Sequence, residues 1–171
     1  MQAPSKSSKQ SPSLKARALR LLSLREYSRK GLAAKLTESE ARWSKLGGEQ
    51  AEQTPESRTI QIEAVLDDFE ARGWLSDERF AEALVRRRSE RYGIRKIADE
   101  LERAGVDSKQ SARLLGALKE TEFQRAYDLW MRKYGQQATD QKERARQYRF
   151  LASKGFGSDI VAKVTGGQTP D

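Results

Sequence analysis

With 171 residues, a net charge of +8, 36% hydrophobic and 34% charged residues, the chain can build small helical units with thin cores and much charged surface. It has no cysteine and no histidine, which excludes disulfides and thiolate sites and removes the usual general base, metal ligand and pH switch. The basic balance favours a polyanionic or acidic partner, and no apolar run approaches the ~18 residues of a membrane span.

Residues 1–12 are polar and rich in Ser, Lys and Gln, and they read as a disordered arm without the apolar core of a secretory signal. Helical pattern begins at residue 13. Residues 37–58 contain Gly47-Gly48 and Pro55 and lack sustained periodicity, so an inserted linker with a short helical turn around Trp43 is expected there. Ile62, Val65, Leu66 and Phe69 recur at i, i+3, i+4 and i+7, one face of a helix. Gly73 is its stop, and Trp74 is placed to fold back on it. Ser76 can cap the next helix, with Asp77 and Glu78 on its first turn. A tight break at Tyr92-Gly93 separates that helix from another, which stops at Gly105. Phe123, Ala126, Tyr127, Trp130, Met131 and Tyr134 form a further apolar stripe. Residues 165–171 read as a polar tail.

The chain is similar to itself. A shift of 65 places Ala16, Leu19, Tyr27, Leu32, Ala33 and Leu36 on Ala81, Leu84, Tyr92, Ile97, Ala98 and Leu101. A shift of 42 places Ala81, Leu84, Val85, Arg91, Tyr92 and Gly93 on Phe123, Ala126, Tyr127, Lys133, Tyr134 and Gly135. A shift of 50 carries Leu101, Gly105 and Val106 onto Leu151, Gly155 and Phe156. Third helices are expected over 59–72, 108–119 and 158–164. The expected architecture is all-α, an elongated tandem array of three three-helix repeats over 13–72, 73–120 and 121–164.

These residues resemble the RecX family of regulatory proteins. The resemblance rests on Ala18 to Ser28, on Gly73 to Ala81 (GWLSDERFA), and on Tyr92 to Val106 with Ile97, Glu100-Leu101 and Gly105 in register. It spans residues 14 to about 164. Its motifs are only moderately specific singly, and strong in their order and spacing. Ser28 departs from the family pattern, because Arg29, Lys30, Gly31 and Leu32 follow it and the reciprocal glutamate of a capping box is missing. The resemblance implies a non-enzymatic, cytoplasmic modulator that binds the filament of RecA recombinase on DNA and inhibits its ATP hydrolysis, strand exchange and coprotease activity.

Charge is divided by segment. Residues 1–36 carry nine basic residues against one acid, and residues 37–78 carry four against eleven. Two basic clusters are candidate surfaces for the partner or DNA. The first is Arg86, Arg87, Arg88, Arg91, Arg95 and Lys96 around the Tyr92-Gly93 break, with Arg87 and Arg91 four apart on one helix face. The second is Lys142, Arg146 and Arg149 at i, i+4 and i+7. Such rows attract phosphates or acidic protein grooves in a salt-dependent way. Tyr92, Trp130, Tyr134 and Tyr148 fit base stacking less well than core packing. Asp67-Asp68 and Asp77-Glu78 fit helix surfaces and first turns better than a metal site. No phosphate-binding glycine loop or nucleophile motif occurs, so no enzyme, cofactor or metal is expected. The expected partner is the RecA filament, with DNA contacted directly or through it, no membrane, and a monomeric chain. The alternative is a stand-alone helical DNA-binding or architectural protein. Against it, residues 94–104 set Arg95, Lys96 and Arg103 against Asp99, Glu100 and Glu102, too neutral for a groove-reading helix.

Overall fold

A computed structural model of the chain describes residues 12–45 and 54–170, and the regular elements among them are all helices. Apart from residue 12, the expected arm lies outside the described residues. The chain forms two compact units, the first ending at Ser76 and the second starting at Asp77.

The first unit contains α1 (Leu14–Leu24), α2 (Arg29–Lys45) and α3 (Pro55–Ala71). Ser13 caps α1 by accepting the N–H of Ala16 at 3.2 Å. Buried Ser28 opens α2, its hydroxyl accepting the N–H of Gly31 at 3.0 Å. The serine half of the capping box is therefore made without the glutamate half. Ala18, Leu32, Leu36, Ile62, Val65, Leu66 and Phe69 form the core, so the periodic residues of α3 face inward as their spacing requires. Gly73, at φ +71°, turns the chain, and Trp74 donates its N–H back to the carbonyl of Phe69 at 2.8 Å. The Trp74 ring meets the Phe69 ring edge-on at 5.3 Å. Leu75 also belongs to this core, and the compact unit runs to Ser76.

The linker expected over 37–58 is helical at both ends. Helix α2 continues to Lys45, and α3 starts at Pro55. Two substitutions of pattern hide this in the sequence. The buried face of α2 runs Leu32, Leu36, Glu40, so a carboxylate occupies a core position. It pairs with Arg17 of α1, and both side chains are at least nine-tenths buried. Pro55 stands at the first turn of α3, where its missing N–H costs nothing, behind Thr54, whose hydroxyl accepts the N–H of Ser57. Trp43, the centre of the expected short helical turn, is a half-buried residue of α2.

The second unit has two cores. Helices α4 (Asp77–Arg88), α5 (Ile94–Arg103) and α6 (Ser108–Lys119) enclose Ala81, Leu84, Ile97, Leu101 and Val106. Helices α7 (Glu122–Lys133), α8 (Gln141–Ser153) and α9 (Ser158–Thr165) enclose Ala126, Trp130, Leu151, Phe156, Val161 and Val164. Each of the larger side chains, such as Leu101 or Phe156, contributes about 1.5–3 kcal/mol on burial. Thr165, expected to open the polar tail, is instead helical and buried, its hydroxyl donating to the carbonyl of Val161.

Candidate functional site

The two halves of the second unit meet through backbone. The break after α4 and the break after α8 pair directly. Gly93 donates its N–H to the carbonyl of Lys154 at 2.9 Å, and Arg95 donates to the carbonyl of Gly155 at 3.1 Å. A β-carbon at Gly93 would lie 2.3 Å from the carbonyl oxygen of Gly155 and from the nitrogen of Phe156. Both glycines are thus required by proximity, and Gly155 also by its φ of +87°.

Helix α7 completes the junction with two charged side chains. Buried Glu122 accepts the N–H of Ile94 at 3.0 Å, supplying the N-terminal cap that Gly93 cannot provide. One amino group of Arg125 donates to the carbonyls of Ser89 at 2.8 Å and Tyr92 at 2.9 Å, and the other donates to that of Leu118. Burial pushes the Arg125 guanidinium pKa down, and the Glu122 carboxylate partly offsets this. Arg132 adds a bond to the carbonyl of Glu90 at 3.1 Å.

A surface groove of about 420 Å³ opens beside this junction. Arg91, from the first break, faces Arg132 and Lys133 of α7 and Lys154, from the second break. Leu129 and Phe150 form its apolar part, and Glu90 is its one carboxylate. The aromatic rings nearby carry cations on their faces. Lys133 lies 4.3 Å from the centre of the Phe150 ring, and Lys154 lies 5.6 Å from it. Lys96, Arg88 and Lys154 surround the Tyr92 ring at 4.7, 5.3 and 5.5 Å.

The structure brings together part of the expected basic surface and separates the rest. Arg88, Arg91 and Lys96 gather at the junction. Arg88 is also tied to Glu100 of α5 at 2.9 Å. The helical row ends at Arg88, so Arg91 lies in the turn beyond α4 instead of sharing a helix face with Arg87. Arg86, Arg87 and Arg95 are exposed, and their side chains make no ion pair among the described residues. Lys142, Arg146 and Arg149 are exposed on α8 and do not line the groove, and Arg146 pairs with Glu143 at 3.3 Å. Sequence reasoning missed Arg132, Lys133 and Lys154, and the capping pair Glu122 and Arg125. The two glycines that touch were the available signal.

The aromatics divide. Trp130 is buried and donates its indole N–H to Gln147 at 2.8 Å. Tyr134 packs edge-on against Phe150 at 5.6 Å, and burial pushes its hydroxyl pKa up. Tyr148 is half-buried beside the same core. Four acids of α3 are neutralised locally. Arg29 reaches Glu63, Asp67 and Glu70 at 2.5, 2.7 and 2.6 Å, and these bonds push its pKa up despite some desolvation. Asp68 meets Lys15 and Arg72 at 3.0 and 2.8 Å. The described residues hold no group of three acids, histidines or cysteines fit for a metal, and no helix among them is long and apolar enough to cross a membrane.

Three-helix domains, two of them interlocked at glycine breaks beside a basic groove, define the class as an all-α protein of three-helix domains. Comparison with known proteins agrees. The second and third three-helix domains of RecX match residues 76–114 and 120–165. The chain is 45% identical over 152 residues to Regulatory protein RecX of Leptothrix cholodnii, covering 89% of this chain and 87% of that one. It is 42% identical to the Herminiimonas arsenicoxydans protein of the same name, over 87% of this chain and 88% of that one. The crystal structure of RecX from Lactobacillus salivarius shares the fold, with a TM-score of 0.63 at 18% identity, over 90% of this chain and 92% of that one. A second RecX crystal structure aligns with a TM-score of 0.65 at 20% identity, over 90% and 71%. The chain belongs to the RecX family of regulatory proteins.

Proposed function

We propose that this protein binds the RecA filament on DNA and restrains it, lowering ATP hydrolysis, strand exchange and coprotease activity. Family membership supports the choice of partner. The observation that carries a binding role is the concentration of uncompensated cations around the Tyr92-Gly93 break, from Arg86, Arg87, Arg91 and Arg95 to Lys133 and Lys154. Such charges steer association with an acidic filament surface or with DNA phosphate. Bridging of neighbouring protomers would then block the closure needed for hydrolysis or the addition of subunits at a growing end.

The test is RecA's DNA-dependent ATPase with substoichiometric protein added. Inhibition that fades as salt rises is expected. No effect at low salt with micromolar protein overturns the reading. Tight, salt-steep duplex binding without RecA would instead support a stand-alone DNA-binding protein.

A further inference from the structure

We propose that the groove between α7, α8 and the turn after α4 is a docking site for an acidic peptide segment that carries one apolar side chain. This deepens the reading of a protein-binding regulator and rests on it, while giving the site an occupant of defined chemistry.

The charges argue first. Arg91, Arg132, Lys133 and Lys154 face one carboxylate, Glu90. Among the described residues none of these four cations makes an ion pair. Some charges of the chain are neutralised within it, as with Arg29 on three acids and Asp68 between two cations. Here four cations without an ion pair line one small groove. A nearby carboxylate-rich strand of peptide would supply the missing partners.

The apolar part argues next. Leu129 and Phe150 lie between the cations, so an occupant that buries an aliphatic side chain gains the hydrophobic term that a bare polyanion does not. The volume suits a few side chains. Nucleic acid fits less well. Bases bind such surfaces by stacking on open rings, yet Phe150 and Tyr92 carry ammonium or guanidinium groups over their rings. Those heads would have to leave before a base could stack. A second copy of this chain also fits poorly, since the acids of α3, Glu63, Asp67, Asp68 and Glu70, already hold partners.

The groove is preformed. Its walls come from both halves of the second unit and are held by the Gly93–Lys154 and Arg95–Gly155 backbone bonds and by Arg132 on Glu90. An occupant need not spend binding energy to assemble it.

The experiment is fluorescence anisotropy of the full-length protein with a labelled acidic peptide that has one central leucine. Its leucine-to-alanine version and a single-stranded oligothymidylate of equal formal charge serve as competing probes. The leucine peptide is expected to bind about tenfold tighter than the alanine peptide, from burial of the aliphatic group. Lys133→Glu with Lys154→Glu is expected to weaken it by at least about tenfold, while Lys142→Glu with Arg149→Glu, of equal charge change but outside the groove, changes it less than about threefold. Circular dichroism of each variant identifies any that fail to fold, and Phe150→Leu supplies a milder apolar change. The proposal is overturned by equal loss in both double variants, by indifference to the leucine, by tighter binding of the oligonucleotide that the groove variant abolishes, or by a wild-type dimer that the groove variant dissociates. Because no RecA is present, failure here leaves the ATPase test standing, and failure of the ATPase test leaves this one readable.

Discussion

Gly93 has no room for a side chain, because the carbonyl oxygen of Gly155 would lie 2.3 Å from its β-carbon. Its backbone is extended, at φ −78°, so conformational strain is not the reason for glycine there. Gly93→Ala must push the two breaks apart and cost about 2 kcal/mol or more. Amide exchange should show lost protection at Gly93 and Arg95, whose bonds cross the junction; retained protection would mean that the clash relaxes elsewhere. Arg125 has the complementary role, since it serves carbonyls from the end of α4 and of α6 at once. Removing it leaves those carbonyls unmet in a partly dry setting. Arg125→Ala should destabilise the second unit by about 3 kcal/mol in urea unfolding. Arg125→Lys should recover only part of this, because one ammonium cannot reproduce the guanidinium fork.

Helix α2 shows how a polar residue can occupy a core position. Glu40 continues the buried face of Leu32 and Leu36 because Arg17 lies opposite it and also donates to Ser39 at 2.7 Å. Breaking such a pair is costly, whereas replacing both members can be nearly neutral. Glu40→Ala should therefore lower the stability of the first unit by about 3–5 kcal/mol, and Arg17→Met with Glu40→Leu by much less. A double-variant loss equal to the sum of the single losses would show that the two residues do not act as a pair. Helix α6 has the opposite character, since none of its residues is fully buried. It depends on Leu114, Leu115 and Leu118 half-buried against the core, and on Asp107, which caps the N–H groups of Lys109 and Gln110 at 2.9 and 3.2 Å.

For the whole molecule, binding should follow the uncompensated charges. Arg87→Glu with Arg91→Glu is expected to weaken filament binding about tenfold or more at low salt while far-ultraviolet circular dichroism stays native, since both side chains are exposed. Sedimentation with RecA filaments measures this, and unchanged affinity would move the interface to other residues. The sequence by itself determined the helices, their glycine stops and their inward faces. Those depend on local spacing, as at Ile62 to Phe69, and on single residues such as Gly73 that set a turn. It determined the family resemblance through the same residues. The full length of α2 was not legible, because a buried carboxylate reads as surface until its arginine is placed. Only tertiary structure decided that Gly93 meets Gly155, that Glu122 and Arg125 cap a break about 30 residues away, and that Lys133 and Lys154 join Arg91 around one groove. These are encounters between distant segments, governed by backbone proximity and the need to satisfy buried polar groups, and neither has a period along the chain.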